Sequence, residues 1–223
     1  RADKGTGISM KMPHSIDFHP AMVNPLDKYR SVDPGATIHF TWTANYPGVL
    51  MYHCGTPMVL QHMIYGMIGM VIVEPNDGFP GKADREFAIV ESEFYLKKNK
   101  DSVYVPDLNA ALNMQPAYVT FNGKYQQYVN SPLNAKAGER VRMYVLNAGP
   151  NLFSAFHVIG TLFDLVWMDG NPQNVLHGMQ TVSLAPSSGA IVEFILPEKG
   201  IYTFVDHSFA KATKGAVGQI VAE

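Results

Sequence analysis

The sequence predicts an all-β protein made of two tandem β-sandwiches, and three observations carry that expectation. Short stretches of alternating apolar and polar residues recur along the chain, and Gly and Pro clusters separate them. Two segments also repeat at an offset of about 150 residues, the mark of a duplicated unit. The alternation is clearest in Ala36-Thr-Ile-His-Phe-Thr-Trp-Thr43, Arg140-Val-Arg-Met-Tyr-Val-Leu146 and Gly189-Ala-Ile-Val-Glu-Phe-Ile195. Turn chemistry at Asp33-Pro34-Gly35, Tyr46-Pro47-Gly48 and Ala148-Gly149-Pro150 bounds these runs. Helical pattern is confined to two short pieces, residues 105–113 and 208–212.

The repeat sets the domain plan. Pro47-Gly48-Val-Leu-Met-Tyr-His-Cys54 returns as Lys199-Gly200-Ile-Tyr-Thr-Phe-Val-Asp-His207. Gly66-Met-Ile-Gly69-Met-Val-Ile-Val returns as Gly215-Ala-Val-Gly218-Gln-Ile-Val. Between the copies, Pro75-Asn-Asp-Gly-Phe-Pro-Gly-Lys-Ala-Asp84 reads as a linker, giving a first domain over 1–76, a linker over 77–85 and a second domain over 86–223. The first copy is much the shorter, so it is expected to lack its opening strands. The chain opens on a polar turn, Arg1-Ala2-Asp3-Lys4-Gly5, without an initiator Met, and an upstream segment is expected before it.

Composition narrows the function. The 223 residues leave ample room for a core, and a net charge of −2 offers no electrostatic footprint for nucleic acid or an anionic membrane. No apolar run reaches the length of a membrane-spanning helix, and no signal peptide is visible.

The chemistry centres on Cys54, the only cysteine, which excludes a disulfide within the chain. A lone cysteine is commonly a small buried hydrophobe. This one lies in Tyr52-His53-Cys54-Gly55, with seven residues between it and His62 and with Met67 five further on. A thiolate, an imidazole and a thioether on one short loop, joined by a second histidine, make the donor set of a mononuclear electron-transfer copper centre.

A second group lies in His14-Ser-Ile-Asp17-Phe-His19. Side chains alternate across a strand, so Asp17 and His19 share a face and His14 points the other way. The same parity sends His53 and Cys54 to opposite faces. His14 can then join Cys54, His62 and Met67, while His19 and His53 gather beside Asp17. A third imidazole is available at His207, in the second copy. Three imidazoles with an open position form a catalytic metal geometry. Two metals so held would be linked by the short covalent path through His53 and Cys54, which a redox relay needs and a hydrolase does not. His39, in a strand pattern, and His177, in a Gly- and Asn-rich loop, read as ordinary structural histidines.

These motifs carry a resemblance. His-x-x-Asp-Phe-His, then Tyr-His-Cys with His-x4-Met, then Phe156-His157-Val-Ile159-Gly and Val205-Asp206-His207, resemble the copper-containing nitrite reductases over essentially the whole chain. The resemblance implies two cupredoxin-like Greek-key sandwiches and two coppers per subunit. The type 1 copper would be held by His14, Cys54, His62 and Met67, and the type 2 copper by His19 and His53 with His207 from a neighbouring subunit. Asp17 and His157 match the family's proton-supplying pair, and Ile159 the residue over the substrate position. Also implied are reduction of nitrite to nitric oxide in denitrification, a homotrimer, a small cupredoxin or c-type cytochrome as electron donor, and a periplasmic or extracellular setting. The segment Pro20-Ala-Met-Val-Asn-Pro-Leu-Asp-Lys-Tyr-Arg30 departs from the short Gly/Ala stretch of many relatives. Two rivals stand beside this reading. A laccase-type multicopper oxidase needs His-x-His pairs, of which the eight histidines form none, and an electron-transfer cupredoxin would need only the first site.

Overall fold

The computed structural model describes residues 12–223, and the polar turn expected at Arg1 to Gly5 lies outside them. The first sheet has three antiparallel strands, Asp17–Phe18 (β1), Gly48–His53 (β2) and Ile68–Val73 (β3), with β2 in the middle. Its connections carry two short helices, Pro25–Lys28 (α1) and Val59–Ile64 (α2).

The rest of the chain supplies two larger sheets. The strands that follow, in order, are Arg85–Phe94 (β4), Leu96–Lys98 (β5), Tyr104–Pro106 (β6), Tyr118–Phe121 (β7), Leu133–Ala135 (β8), Arg140–Asn147 (β9), Ser154–Val158 (β10), Phe163–Met168 (β11), Val175–Met179 (β12), Thr181–Leu184 (β13), Gly189–Ile195 (β14), Gly200–Asp206 (β15) and Val217–Ala222 (β16). Helices Leu108–Leu112 (α3), Gln127–Asn130 (α4) and Phe209–Ala212 (α5) lie in their connections. One sheet runs β13-β10-β15-β16-β8 and the other β12-β11-β14-β9-β4-β7, while β5 and β6 form a separate hairpin.

Strand parity explains how the layers stack. Along β9, Val141, Met143 and Val145 point into the core between the two large sheets, whereas Tyr144 and Leu146 point outward. Along β14, Ala190, Val192 and Phe194 face that core and Ile191 faces away. The outward set meets Val49 and Met51 of β2, together with Trp167, in a second apolar cluster. Along β9 and β14 the six-stranded sheet is therefore covered on both faces. A backbone bond from Val49 N–H to Asp169 O, 2.7 Å long, fixes β2 on that surface. Burial of each side chain of this size contributes roughly 1.5–3 kcal/mol.

The repeat is visible in register. Tyr52 pairs with Gly69 across β2 and β3, and Phe204 pairs with Gly218 across β15 and β16. In both places the aromatic ring lies over the glycine so closely that a Cβ there would meet ring carbon at 2.2 Å.

Three sequence expectations change. The alternating run Ala36–Thr43 forms no strand, although Ile38, Phe40 and Trp42 are half-buried between exposed neighbours. Alternation records which face is covered, while a strand also needs a hydrogen-bonded neighbour, and no strand among the described residues pairs with this run. The helix expected over 105–113 is shorter, because Pro106 ends β6 and disfavours helix before it. It starts after Asp107, whose carboxylate accepts from Asn109 N–H at 3.0 Å and Ala110 N–H at 3.3 Å. The segment after Cys54, expected as loop, contains α2. No helix among the described residues is long and apolar enough to cross a membrane.

Candidate metal centres

Three pieces of chain meet at the first centre. Strand β2 ends at His53, and the next residue, Cys54, donates its N–H to Met67 O at 3.1 Å, closing the loop between them. Helix α2 lies inside that loop and carries His62, which is buried; Met67 N–H in turn donates to His62 O at 3.3 Å. His14 arrives from a separate segment, pinned by a reciprocal backbone bridge with Val32. His14 Nδ1 and His62 Nδ1 lie 3.2 Å apart. Cys54 Sγ is 3.4 Å from His62 Nδ1 and 3.8 Å from His14 Nδ1.

A point equidistant from these three atoms lies about 2 Å from each, close to the length of a nitrogen–metal bond. Two imidazole nitrogens and a sulfur converging on one point fit the trigonal plane of a His₂Cys copper centre. Burial, and secondarily the neighbouring His14, lower the pKa of His62 and favour the neutral ring that a metal needs. Its Nε2 is buried without a partner among the described residues, so packing and the Nδ1 side alone fix the ring. Met67, half-exposed, is held at the rim by the two backbone bonds already named.

The second centre lies across the same peptide. Asp17 pairs with His53 in the register of β1 and β2, with Asp17 Oδ2 3.8 Å from His53 Nε2. His19, in the turn after β1, donates its N–H to Met51 O at 3.1 Å, and its ring meets that of His53 edge to face at 5.2 Å. Donor atoms of Asp17, His19 and His53 all lie within 4.8 Å of one another. His53 Nδ1 is 3.0 Å from Cys54 O. A carbonyl only accepts, so Nδ1 carries the hydrogen and Nε2 keeps its lone pair for the cluster.

His207 and His157 belong to neither donor group among the described residues. They lie in the second sandwich with their rings edge to face at 5.4 Å, and Phe209 packs on His207 at 4.7 Å. His157 Nδ1 is 2.5 Å from Gln180 O, which leaves its Nε2 as the free nitrogen. Ile159 follows β10 and is 48% exposed, open to whatever covers this face. The family resemblance pairs Asp17 with His157; within one chain the neighbour of His157 is His207. Parity along single strands could not reveal this, since it depends on β10 pairing with β15.

The departing segment after His19 is folded against the site. Asn24 caps α1 by accepting from Leu26 N–H at 3.1 Å. The Tyr29 hydroxyl reaches back to the carbonyls of Phe18 at 2.7 Å and Ala21 at 2.9 Å. These bonds hold the turn that carries His19.

The two-sheet sandwich, the three-stranded sheet packed on it and the two donor clusters define a metal protein of the cupredoxin class. The multicopper oxidase family pattern matches residues 85–218. The copper-containing nitrite reductase of Neisseria meningitidis serogroup A is 42% identical over 220 residues, covering 96% of this chain and 56% of that protein. That of Cereibacter sphaeroides is 30% identical over 235 residues, covering 95% of this chain and 62% of its own. Among solved structures, copper nitrite reductase from Nitrosomonas europaea superposes with a TM-score of 0.87 at 37% identity, covering 96% of this chain and 76% of that one. The chain belongs to the copper-containing nitrite reductase family. It spans about half the length of the curated Neisseria relatives it matches.

Proposed function

We propose that the protein, loaded with copper at both centres, reduces nitrite to nitric oxide and water. His14, Cys54, His62 and Met67 would hold a type 1 copper, and His19 and His53, completed by His207 from a neighbouring subunit of a homotrimer, would hold a type 2 copper. The observation that carries this reading is the pair of donor clusters on either side of the His53–Cys54 peptide. Copper held at these centres would supply one-electron redox chemistry.

The chain's own groups do the rest. The Cys54–His53 peptide is the shortest covalent route between the centres. The reaction consumes two protons, and the Asp17 carboxyl and His157 Nε2 are the groups suited to deliver them as general acids. Both approach nitrite from opposite sides of the subunit boundary, because His157 travels with His207. Gln180 O holds the His157 ring by its Nδ1 side, which aims the other nitrogen at the substrate. Ile159 packs over the substrate position and limits access to a small anion.

Residues 1–76 then form part of the first cupredoxin domain, 77–85 the linker and 86–223 the second domain. The Arg142 guanidinium ties the linker to the second domain, since its Nη2 donates to the carbonyls of Pro80 and Gly81 at 2.9 and 3.3 Å while its Nε donates to Glu193. A small cupredoxin or c-type cytochrome donor and a periplasmic or extracellular setting complete the proposal. The test is anaerobic turnover of the copper-loaded, intact protein with an artificial one-electron donor. One nitric oxide per nitrite supports the reading; copper-replete protein that takes up electrons without making nitric oxide favours the electron-transfer alternative.

A further inference from the structure

A buried charge network lies beside the His157–His207 pair. Glu91 on β4, Asp206 at the end of β15 and Lys211 on α5 are all buried, Asp206 completely. Lys211 Nζ is 3.5 Å from Glu91 Oε1 and also contacts the Asp206 carboxylate and Phe153 O. Glu91 Oε2 accepts from Ser154 Oγ at 2.5 Å. Asp206 Oδ1 accepts from Ser208 N–H at 2.8 Å and Ala155 N–H at 3.3 Å. Between Asp206 and Ser208 sits His207, whose own N–H donates to Ala155 O at 2.8 Å.

Two groups are thus gripped together. The turn carrying His207 hangs on the Asp206 carboxylate, which also holds Ala155, while Lys211 holds Phe153 O and Glu91 holds Ser154, all just ahead of His157. Burying charges contributes little to stability compared with apolar packing, but losing one partner leaves the other uncompensated. Such a network fixes geometry rather than adding to the core.

We propose that Lys211 is a positioning residue for the second metal centre: its buried ammonium compensates Asp206, and Asp206 locks the His207 turn against the strand that carries His157. The inference rests on the assignment of His207 as a metal ligand and His157 as a proton donor. The Asp206 carboxylate anchors the backbone after His207 through Ser208 N–H and the facing strand through Ala155 N–H, which sets where the turn presents the ring.

The test uses the intact, copper-loaded protein with Lys211→Met, which keeps the stem and loses the charge, and Lys211→Met/Asp206→Asn, which removes both charges but keeps an Oδ1 acceptor. Paramagnetic resonance reads the second cupric signal, metal titration reads its affinity, and the intense visible band of the first centre reports folding. Lys211→Met is expected to keep the visible band, to shift the hyperfine splitting of the second signal and to weaken its copper by about 10–100-fold, as losses of outer-sphere support do. The double variant is expected to return both toward wild type. A second signal and affinity unchanged in Lys211→Met overturn the proposal. If Lys211→Met loses the visible band as well, the double variant decides: a wild-type second signal there supports the proposal and an altered one overturns it. A wild-type protein without any second cupric signal overturns the ligand assignment, and this inference with it.

Discussion

His53 and Cys54 are joined by one peptide bond, yet each faces a different donor cluster. Cys54 Sγ lies 3.4 Å from His62 Nδ1, while His53 Nε2 lies 3.8 Å from Asp17 Oδ2 on the other side. The arrangement follows from elementary strand geometry, since consecutive side chains leave an extended backbone in opposite directions. The Cys54 carbonyl adds a second tie by accepting from the His53 ring. A change at one residue is therefore felt at the other cluster.

Replacing the sulfur separates the centres. Cys54→Ala is expected to abolish the intense visible absorption and electron uptake, and to leave copper bound at the second cluster. Absorption spectroscopy with copper analysis checks this, and a retained charge-transfer band would remove Cys54 from the ligand set.

Asp17 is expected to act on protons rather than on metal retention. Asp17→Asn should keep both coppers and lower turnover by about 10²-fold or more, the range for loss of a general acid. Steady-state nitrite reduction with metal analysis checks it. Near-normal turnover would sink the role.

Gly218 tests the duplicated aromatic–glycine contact. A Cβ at this position would meet Phe204 ring carbons at 2.2, 2.6 and 2.8 Å, and Phe204 is fully buried. Gly218→Ala is expected to destabilise by about 1–3 kcal/mol through overpacking. The cost should shrink in a Phe204→Leu background, because the two positions are coupled. Denaturant unfolding of the four variants measures the coupling, and equal costs in both backgrounds would contradict it.

Glu91 gives stability a pH dependence. Burial, followed by the Asp206 carboxylate, raises its pKa from 4.5 to about 8. The folded chain keeps the Glu91 proton where the unfolded chain has released it. The contribution is complete below about pH 4.5 and is lost as pH climbs through about 8. Melting temperature should accordingly decline across that window from this group, and Glu91→Gln should flatten the decline. An unaltered slope in the variant would assign the dependence elsewhere.

Much of the fold was legible because it rests on local periodicity. β9 and β14 were expected over Arg140–Leu146 and Gly189–Ile195, and their alternation sorts residues between two apolar clusters. The repeat located β2, β3, β15 and β16 through their paired glycines. Strand parity also separated His14 from Asp17, and their donor atoms lie in two different groups.

What stayed hidden depends on distant pairing. The alternation of Ala36–Thr43 does not reveal whether a neighbouring strand exists. His157 meets His207 only because β10 and β15 are adjacent, and Lys211 meets Glu91 across 120 positions of sequence. Helix α2 is six residues long, too short for a period to stand out, and its position is set by the loop that Cys54 and Met67 close.

Paramagnetic resonance on the copper-loaded, intact protein, before and after nitrite, tests the central claim most directly. Two cupric signals are expected, one from the Cys54 centre that ignores nitrite and one from the His53 centre that changes with it. A single signal indifferent to nitrite would contradict a substrate-binding second copper and leave an electron-transfer cupredoxin.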